Sequence, residues 1–337
     1  MRNPWLIAFL LWLVAIVLAV FALRQLPLAN LLRTAFQLSL WQLLVWIALN
    51  LAILLLSAQR WRELLLALAT PVSRMRLLGN RLAGQTISFL TPGPQFGGEP
   101  LQVFWLVRGT GVALHRALLS LSLDRLIELW VNFSLLALGI VFVLGASDSR
   151  LPQGLPALGA LVLLLALSSA LLFLLLRRPQ RWLPTLKRWC QHWLQHPRLA
   201  GLDIQWEQLD RDLSRLPVEH LKLLFRCLLL SLLSWAAILA ELWWLMNCAG
   251  IHPDPAGFAL IAVSIRLAML LPLPGGIGTI EAAVVWALPT LGAGVAEAAT
   301  LILLMRSRDV ALLICGFIAL GRQHRPVNTR ECQPPKA

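Results

Sequence analysis

Two stretches of the chain place charged side chains next to residues that interrupt helices. Each contains Arg-Leu-Ala, then Pro-x-Pro, a Gly-Gly pair and a Glu, which fall at Arg81, Gly97, Gly98 and Glu99 in the first stretch and at Arg266, Gly275, Gly276 and Glu281 in the second. The two Arg-Leu-Ala arginines lie 185 positions apart, and each Glu is followed 26 or 25 positions later by another arginine, Arg125 or Arg306. The shared order of residues predicts a weak internal repeat.

Gly-Gly beside Pro ends a helix and leaves backbone N–H groups without partners. Inside a membrane such backbone survives only where protein buries it or where it lines a wet cavity. A helix that restarts after the break points its positive end inward, and with arginine nearby it would suit an anionic group such as a lipid phosphate. Pro100 after Glu99, and the spacing of Gly278 and Glu281, are typical of helix starts.

Paired broken helices in two halves of a chain indicate a midplane binding site in transporters. The alternative is that Gly and Pro only kink packed helices, while Gly-Gly permits close helix contact. Because both stretches carry a Glu and a later Arg, we favour the binding-site interpretation.

Several ionisable residues lie inside apolar stretches, where each costs roughly 2.5–3.5 kcal/mol at a helix centre. They are Asp124, Arg125, Glu128, Glu241, Arg266, Glu281, Arg306, Arg308 and Asp309. Opposite charges offset this cost, so we expect Glu99, Glu281, Arg125 and Arg306 to pair across the bundle. A structural ion-pair network near the headgroups, with Arg308 reaching outward, is the alternative. Glu241 has no charged neighbour in its run, which favours a place in a polar cavity.

The predicted substrate-binding residues share a position in or beside these two stretches, or inside an apolar run. They are Arg81, Gly97, Gly98, Glu99, Arg125, Glu241, Arg266, Gly275, Gly276, Glu281 and Arg306.

The surrounding elements must be membrane helices. Hydrophobic residues make up 58% of the 337 residues and charged ones 13%, against about 25% charged in a soluble domain. Residues 5–23, 38–58, 129–146 and 155–176 carry no charge, and 227–248 carries only Glu241. Runs of roughly 20 apolar residues can span a bilayer. The chain therefore predicts an all-α polytopic transmembrane bundle of about six to eight spans. Segments 257–272 and 279–292 are short, and form either two spans or one re-entrant hairpin.

The net charge of +13 is concentrated between the apolar runs. Lys and Arg cluster at 60–116, 177–198 and 322–336, which predicts that these regions and both termini face the cytoplasm. Orientation therefore explains the charge, and nucleic acid is not expected as a partner. We expect one membrane domain at 1–322 with a cytoplasmic insert at about 177–222, followed by a basic tail at 323–337.

Other reactive patterns are sparse. The five Cys residues form no Cys-x-x-Cys pair, and the chain holds no P-loop, Gly-x-Ser-x-Gly or His-Glu-x-x-His motif. We therefore expect no metal, no cofactor, no catalytic residue and no enzymatic activity.

Two stretches resemble the signatures of the lysylphosphatidylglycerol synthase transmembrane-region family. Residues 88–100 with Asp124-Arg125-Leu126 resemble the first, and residues 273–283 resemble the second. The resemblance implies a bacterial inner-membrane protein with a flippase-like bundle. Long members join this bundle to a soluble aminoacyl transferase domain, which we expect to be absent here. Stand-alone members are thought to move or handle lipids, including isoprenoid-type lipids.

Three hypotheses about function follow. The first is a lipid translocase or lipid-handling protein acting on an anionic or isoprenoid-type phospholipid, with membrane lipids as partners and a charged cavity near the glycine breaks. The second is a non-catalytic scaffold for lipid or cell-envelope biosynthesis, with tightly packed ion pairs, no cavity and biosynthetic proteins as partners. The third, a membrane-embedded transferase, would need a nucleophile or base that the sequence does not name.

Overall fold

The computed structural model describes residues 39–91, 97–146, 208, 221–271 and 273–323. The described elements are helices: α1 Leu40–Ala67, α2 Arg74–Leu90, α3 Glu99–Thr110, α4 Leu114–Ala146, α5 Leu221–Cys248, α6 Pro255–Met269, α7 Thr279–Ala287 and α8 Val295–Gln323, with short 3₁₀ turns at Pro274–Gly276 and Leu288–Leu291. We call α1–α4 the first half and α5–α8 the second half. The expected all-α membrane protein is confirmed.

Three of these helices, α1, α4 and α5, are long and apolar enough to cross a membrane. Helix α1 has 28 residues, and at 1.5 Å per residue it reaches about 42 Å, beyond the roughly 30 Å of a hydrocarbon core. It starts with a capping box, in which Ser39 and Gln42 satisfy each other's backbone N–H groups. The predicted runs at 5–23 and 155–176 lie outside the described residues, as do nearly all of the insert at 177–222 and of the tail at 323–337.

Helix α8 is also long, at 29 residues, and the remaining four helices are short. Helices α2 and α3 have 17 and 12 residues, and α6 and α7 have 15 and 9, so each is shorter than roughly 30 Å. Each pair packs together and is joined by one of the two glycine stretches predicted to interrupt helices. Each half therefore contains a hairpin of short helices between two long helices.

The two halves interlock in one bundle. Helices α1 and α5 run antiparallel, since Trp244 near the end of α5 donates to the backbone oxygen of Gln42 at the start of α1. The hairpin of each half packs on the last long helix of the other half, α2 on α8 and α6 on α4. Glycines allow the close approach: a Cβ on Gly316 of α8 would collide with Thr86 of α2, and one on Gly139 of α4 would lie 2.7 Å from Val263 of α6.

Candidate functional site

At the first break, between α2 and α3, the described glycines bond to side chains close by in the sequence. The backbone N–H of Gly97 donates to Glu99 Oε2 at 2.8 Å, and that of Gly98 donates to Ser88 Oγ at 2.9 Å. Gly98 is buried against the carbonyl of Gly84, where no Cβ would fit. Glu99 also pairs with Arg125 at 3.2 Å. The carboxylate of Glu99 therefore occupies the anion-binding position that the start of α3 offers. Residues 92–96 of the predicted motif lie outside the described residues.

The second break, at residues 270–278, has the same arrangement. The backbone N–H of Gly278, at φ +86°, donates to Glu281 Oε2 at 2.8 Å, which is the helix start that the spacing of these residues predicted. Arg306 Nε donates to Glu281 Oε1 at 2.7 Å, and its two other nitrogens donate to the carbonyls of Gly275 and Gly276, both at 3.1 Å. The guanidinium of Arg306 thus bonds both the glycine carbonyls of the break and the carboxylate of Glu281 in the first turn of α7.

The pairing expected between Glu99, Glu281, Arg125 and Arg306 is found with one correction. Glu99 binds Arg125 and Glu281 binds Arg306, so each pair lies within its own half and neither crosses between halves. Glu281 accepts from the N–H of Gly278 at the start of α7, Glu99 accepts from the N–H of Gly97 just before α3, and a long helix of the same half supplies each arginine.

A buried ion cluster fills the interior of the first half. Asp124, with no exposed surface, lies between Arg60 and Arg81 with contacts of 2.6 Å to each. Glu128 accepts from Arg60 and Arg125, both at 3.0 Å. Each of these three arginines therefore has at least one carboxylate partner. Sequence reasoning placed Arg60 in a cytoplasmic loop, but α1 continues past the apolar run, and its helical periodicity is the signal that would have placed this residue inside.

The second half holds a cluster centred on Glu241. Glu241 Oε1 accepts from Trp46 Nε1 at 3.0 Å and from Asn50 Nδ2 at 2.9 Å, and Oε2 accepts from Arg308 at 3.1 Å. Arg308 also pairs with Asp309 at 2.8 Å. Glu241 therefore has partners on two other helices, although its own run contains no other charge. The alternative interpretation had expected Arg308 to reach outward. Its side chain instead turns into the bundle, where it bonds Glu241.

Arg266 has a different environment from the other arginines predicted to bind substrate. Its guanidinium lies 4.2 Å from the centre of the Trp235 ring and 3.7 Å from the Met269 sulfur. Within the part of the chain that the structure describes, no carboxylate lies within salt-bridge distance of Arg266. This arginine, Glu241 and Arg308 line a cavity of about 50 Å³, whose remaining wall is apolar.

The structure thus divides the predicted set. Glu241 and Arg266 lie on the cavity between α5, α6 and α8. The nine others lie at the two breaks or in the first-half cluster, and do not line this cavity. The breaks themselves are neighbours, because a Cβ on Gly275 would collide with the ring of Phe89 at the end of α2. The breaks are therefore neighbours, which the binding-site interpretation requires, but the cavity lined by Glu241 and Arg266 does not lie between them. The depth of the breaks in a membrane stays a prediction.

Among the described residues, no cluster of three His, Cys, Asp or Glu side chains could hold a metal ion. A family model described as lysylphosphatidylglycerol synthase TM region matches residues 5–316 of the chain. No curated protein and no solved structure matches it.

Proposed function

The chain belongs to the lysylphosphatidylglycerol synthase TM region family, and on that premise we propose that it translocates or handles a phospholipid of the anionic or isoprenoid type. Its place would be the bacterial inner membrane, with both termini in the cytoplasm. It would need no metal or nucleotide, and it would not itself catalyse a covalent reaction.

One observation carries the proposal: the two glycine breaks lie against each other inside the bundle. Gly275 lies against Phe89, and Gly98 and Gly276 are buried. Broken backbone is tolerated at membrane depth only inside protein or beside a wet cavity. Two such breaks in contact, with charged groups around them, are the arrangement from which transporters build a midplane site.

The order of elements supports an inverted repeat. Helices α1 and α5 are antiparallel, and each is followed by a hairpin of short helices and then by one long helix. If α1 and α5 cross the membrane in opposite directions, the two hairpins enter from opposite faces and their tips meet. This topology would give six to eight spans once the runs at 5–23 and 155–176 are included.

The proposed mechanism is alternating access by movement of one half against the other. Helices α2 and α6 each pack on the opposite half, through Gly316 and Gly139. Interfaces made by small residues can slide with little repacking. The Glu–Arg pairs would hold each hairpin as a rigid unit while the two units move, and the charged groups would replace water around the passing headgroup.

Proteoliposomes containing labelled phosphatidylglycerol, and in a second set a labelled isoprenoid phosphate, test the proposal. An impermeant quencher reports how fast label moves between leaflets. We expect wild-type protein to accelerate movement, and the double variant Glu99→Gln with Glu281→Gln, or Arg125→Ala, to abolish the acceleration. Arg226→Ala, at a side chain that is 67% exposed, is the matched control and should move lipid at the wild-type rate. Wild-type rates in the Glu and Arg125 variants would refute the role given to these residues.

The second candidate is the scaffold. The dense pairing of the first-half cluster favours it, because fully neutralised buried charges specify a structure without leaving a group for a ligand. A scaffold would accelerate no lipid in proteoliposomes and would co-purify with an envelope-biosynthesis protein in constant ratio. Lipid movement by the purified protein alone would exclude it as the sole function.

A further inference from the structure

Arg81 and Arg266 open the two repeated stretches, yet only one of them has a carboxylate. Arg81 binds Asp124 at 2.6 Å and the carbonyl of Ser57 at 3.1 Å. Arg266 contacts the Trp235 ring and the Met269 sulfur. Both arginines lie over an indole, but among the described residues only Arg81 has a carboxylate within salt-bridge distance.

The residue before the paired arginine of each half explains the difference. Asp124 directly precedes Arg125, which binds Glu99, whereas Met305 directly precedes Arg306, which binds Glu281. The second half thus has a thioether where the first half has the carboxylate that neutralises Arg81. Met305 lies on the wall of the cavity that Arg266 lines. The missing carboxylate and the cavity therefore occur at the same place.

One cation on this cavity favours an anion. Among the residues that line the cavity, Arg266 and Arg308 carry two positive charges and Glu241 carries one negative charge, a formal charge of +1. Arg308 is also paired with Asp309 behind the wall, so Arg266 is the lining cation that no bonded carboxylate offsets. Glu241 already accepts from Trp46, Asn50 and Arg308, and neither of its oxygens is within salt-bridge distance of Arg266. Arg266 is half-buried, and a monoanion placed against it would neutralise its charge and accept from its guanidinium.

The size and surroundings of the cavity indicate which anion fits. The cavity has a volume of about 50 Å³, which holds roughly three or four water molecules at 10–15 Å³ each. That volume is enough for a phosphate group and too small for a whole lipid. Beyond Arg266, the end of α6 exposes Leu267, Leu270 and Leu271 at 45%, 42% and 51%. These side chains offer an apolar surface on which acyl chains could lie.

We propose that the cavity between α5, α6 and α8 binds the phosphate of an anionic lipid headgroup, with Arg266 as its anchor, and that the first half has no equivalent subsite. The Trp235 ring orients the planar guanidinium so that its free N–H groups can bind two phosphate oxygens. Free inorganic phosphate shares this chemistry, and the lipid is favoured by the apolar remainder of the wall. This inference rests on the proposed function, whose substrate it specifies.

Binding of short-chain phosphatidylglycerol to the purified full-length protein in detergent, followed by calorimetry, tests the site. Arg266→Gln should weaken binding by about tenfold or more, since a charge-assisted pair is lost. Met305→Asp should weaken it similarly, because the new carboxylate would neutralise Arg266 as Asp124 neutralises Arg81. Arg226→Gln, the same exchange at an arginine that is 67% exposed and does not line the cavity, is the control and should bind within about twofold of wild type.

The arms of the experiment separate the outcomes. Short-chain phosphatidylcholine and inorganic phosphate are titrated beside the anionic lipid, and phosphate that binds as tightly as the lipid would overturn the lipid assignment. Wild-type affinity in both Arg266→Gln and Met305→Asp would overturn the site. If Met305→Asp does not fold, Arg266→Gln decides alone. Binding that depends on Arg266 in a protein that moves no lipid would leave this site standing and refute the proposed transport.

Discussion

The two halves of the bundle share their order of helices but balance their charges differently. In the first half, Asp124, which has no exposed surface, pairs with Arg81 and Arg60, and Glu128 supplies a second negative charge to Arg60. This cluster is therefore a closed structural core. In the second half, Met305 replaces the carboxylate, and Arg266 lies on a cavity. The two halves therefore place corresponding arginines in different surroundings, one paired with a carboxylate and one beside a cavity, and the proposed ligand site depends on this difference.

The largest effect should come from removing a carboxylate from the buried ion cluster of the first half. Asp124→Asn would leave Arg81 buried without a carboxylate and Arg60 with Glu128 alone, and removing one member of a buried pair costs about 3–5 kcal/mol. We expect a large fall in the melting temperature of the detergent-purified protein, measured by loss of the monodisperse peak after heating. Arg226→Ala, which removes only an exposed contact of 4.0 Å to Glu63, should change stability by less than about 1 kcal/mol. Equal melting temperatures for the two variants would show that the cluster is not a structural core.

The contact between the breaks gives the next largest effect. Gly275→Ala places a methyl group at φ +57° and against the Phe89 ring, and such strain costs on the order of 1–3 kcal/mol. Gly109→Ala is the control, because that glycine lies inside α3 with open space around its Cα and alanine is the better helix former. Thermal stability should fall for Gly275→Ala and stay equal or rise for Gly109→Ala. Combining Gly275→Ala with Phe89→Ala should recover part of the lost thermal stability, because the methyl group then has room. No recovery would mean that the two breaks do not meet.

Lysine substitutions should distinguish the two Glu–Arg pairs. Arg306 bonds Glu281 and two break carbonyls at once, which the point charge of lysine cannot reproduce. Arg125 contacts only Glu99 and Glu128. We expect Arg306→Lys to lower the stability of the protein by about 1–2 kcal/mol and Arg125→Lys to lower it less. Half-times of limited proteolysis compare the two variants. The reverse order would indicate that the first break depends more on its arginine than the second.

The smallest effect should appear at the cavity of the second half, as tighter binding of an anionic lipid. Glu241→Gln keeps the oxygen that Trp46 and Asn50 bond but raises the formal charge of the cavity wall from +1 to +2. Anionic short-chain lipid should then bind a few-fold more tightly, and the gain should shrink at high salt. Calorimetry at two salt concentrations measures the gain in affinity and its dependence on salt. Weaker binding would assign Glu241 itself to headgroup recognition.

Several features of the fold could be predicted because they depend on close neighbours in sequence. The long apolar runs became α1, α4 and α5. Gly278 and Glu281 formed the helix start that their spacing predicted, and the Gly and Pro residues ended the short helices. The pairing of Glu99 with Arg125 was expected, but its restriction to one half was not, because spacing along the chain does not say which helix of which half lies opposite.

The cavity could not be predicted in the same way. Glu241 had no charge in its run, yet its partners Trp46 and Asn50 lie 195 and 191 positions away. Arg60 was placed in a loop, although Asp124, 64 positions later, binds it inside the bundle.

The amino-acid sequence by itself determined that this chain is a helical membrane protein with two charged, glycine-broken hairpins, since helix length and hydrophobicity are local properties. The tertiary structure decided which charges meet. Electrostatic pairing depends on distances of a few ångströms between atoms that the chain separates widely. Only the folded bundle could therefore reveal that Arg81 on α2 pairs with Asp124 on α4, while Arg266 faces a cavity between α5, α6 and α8.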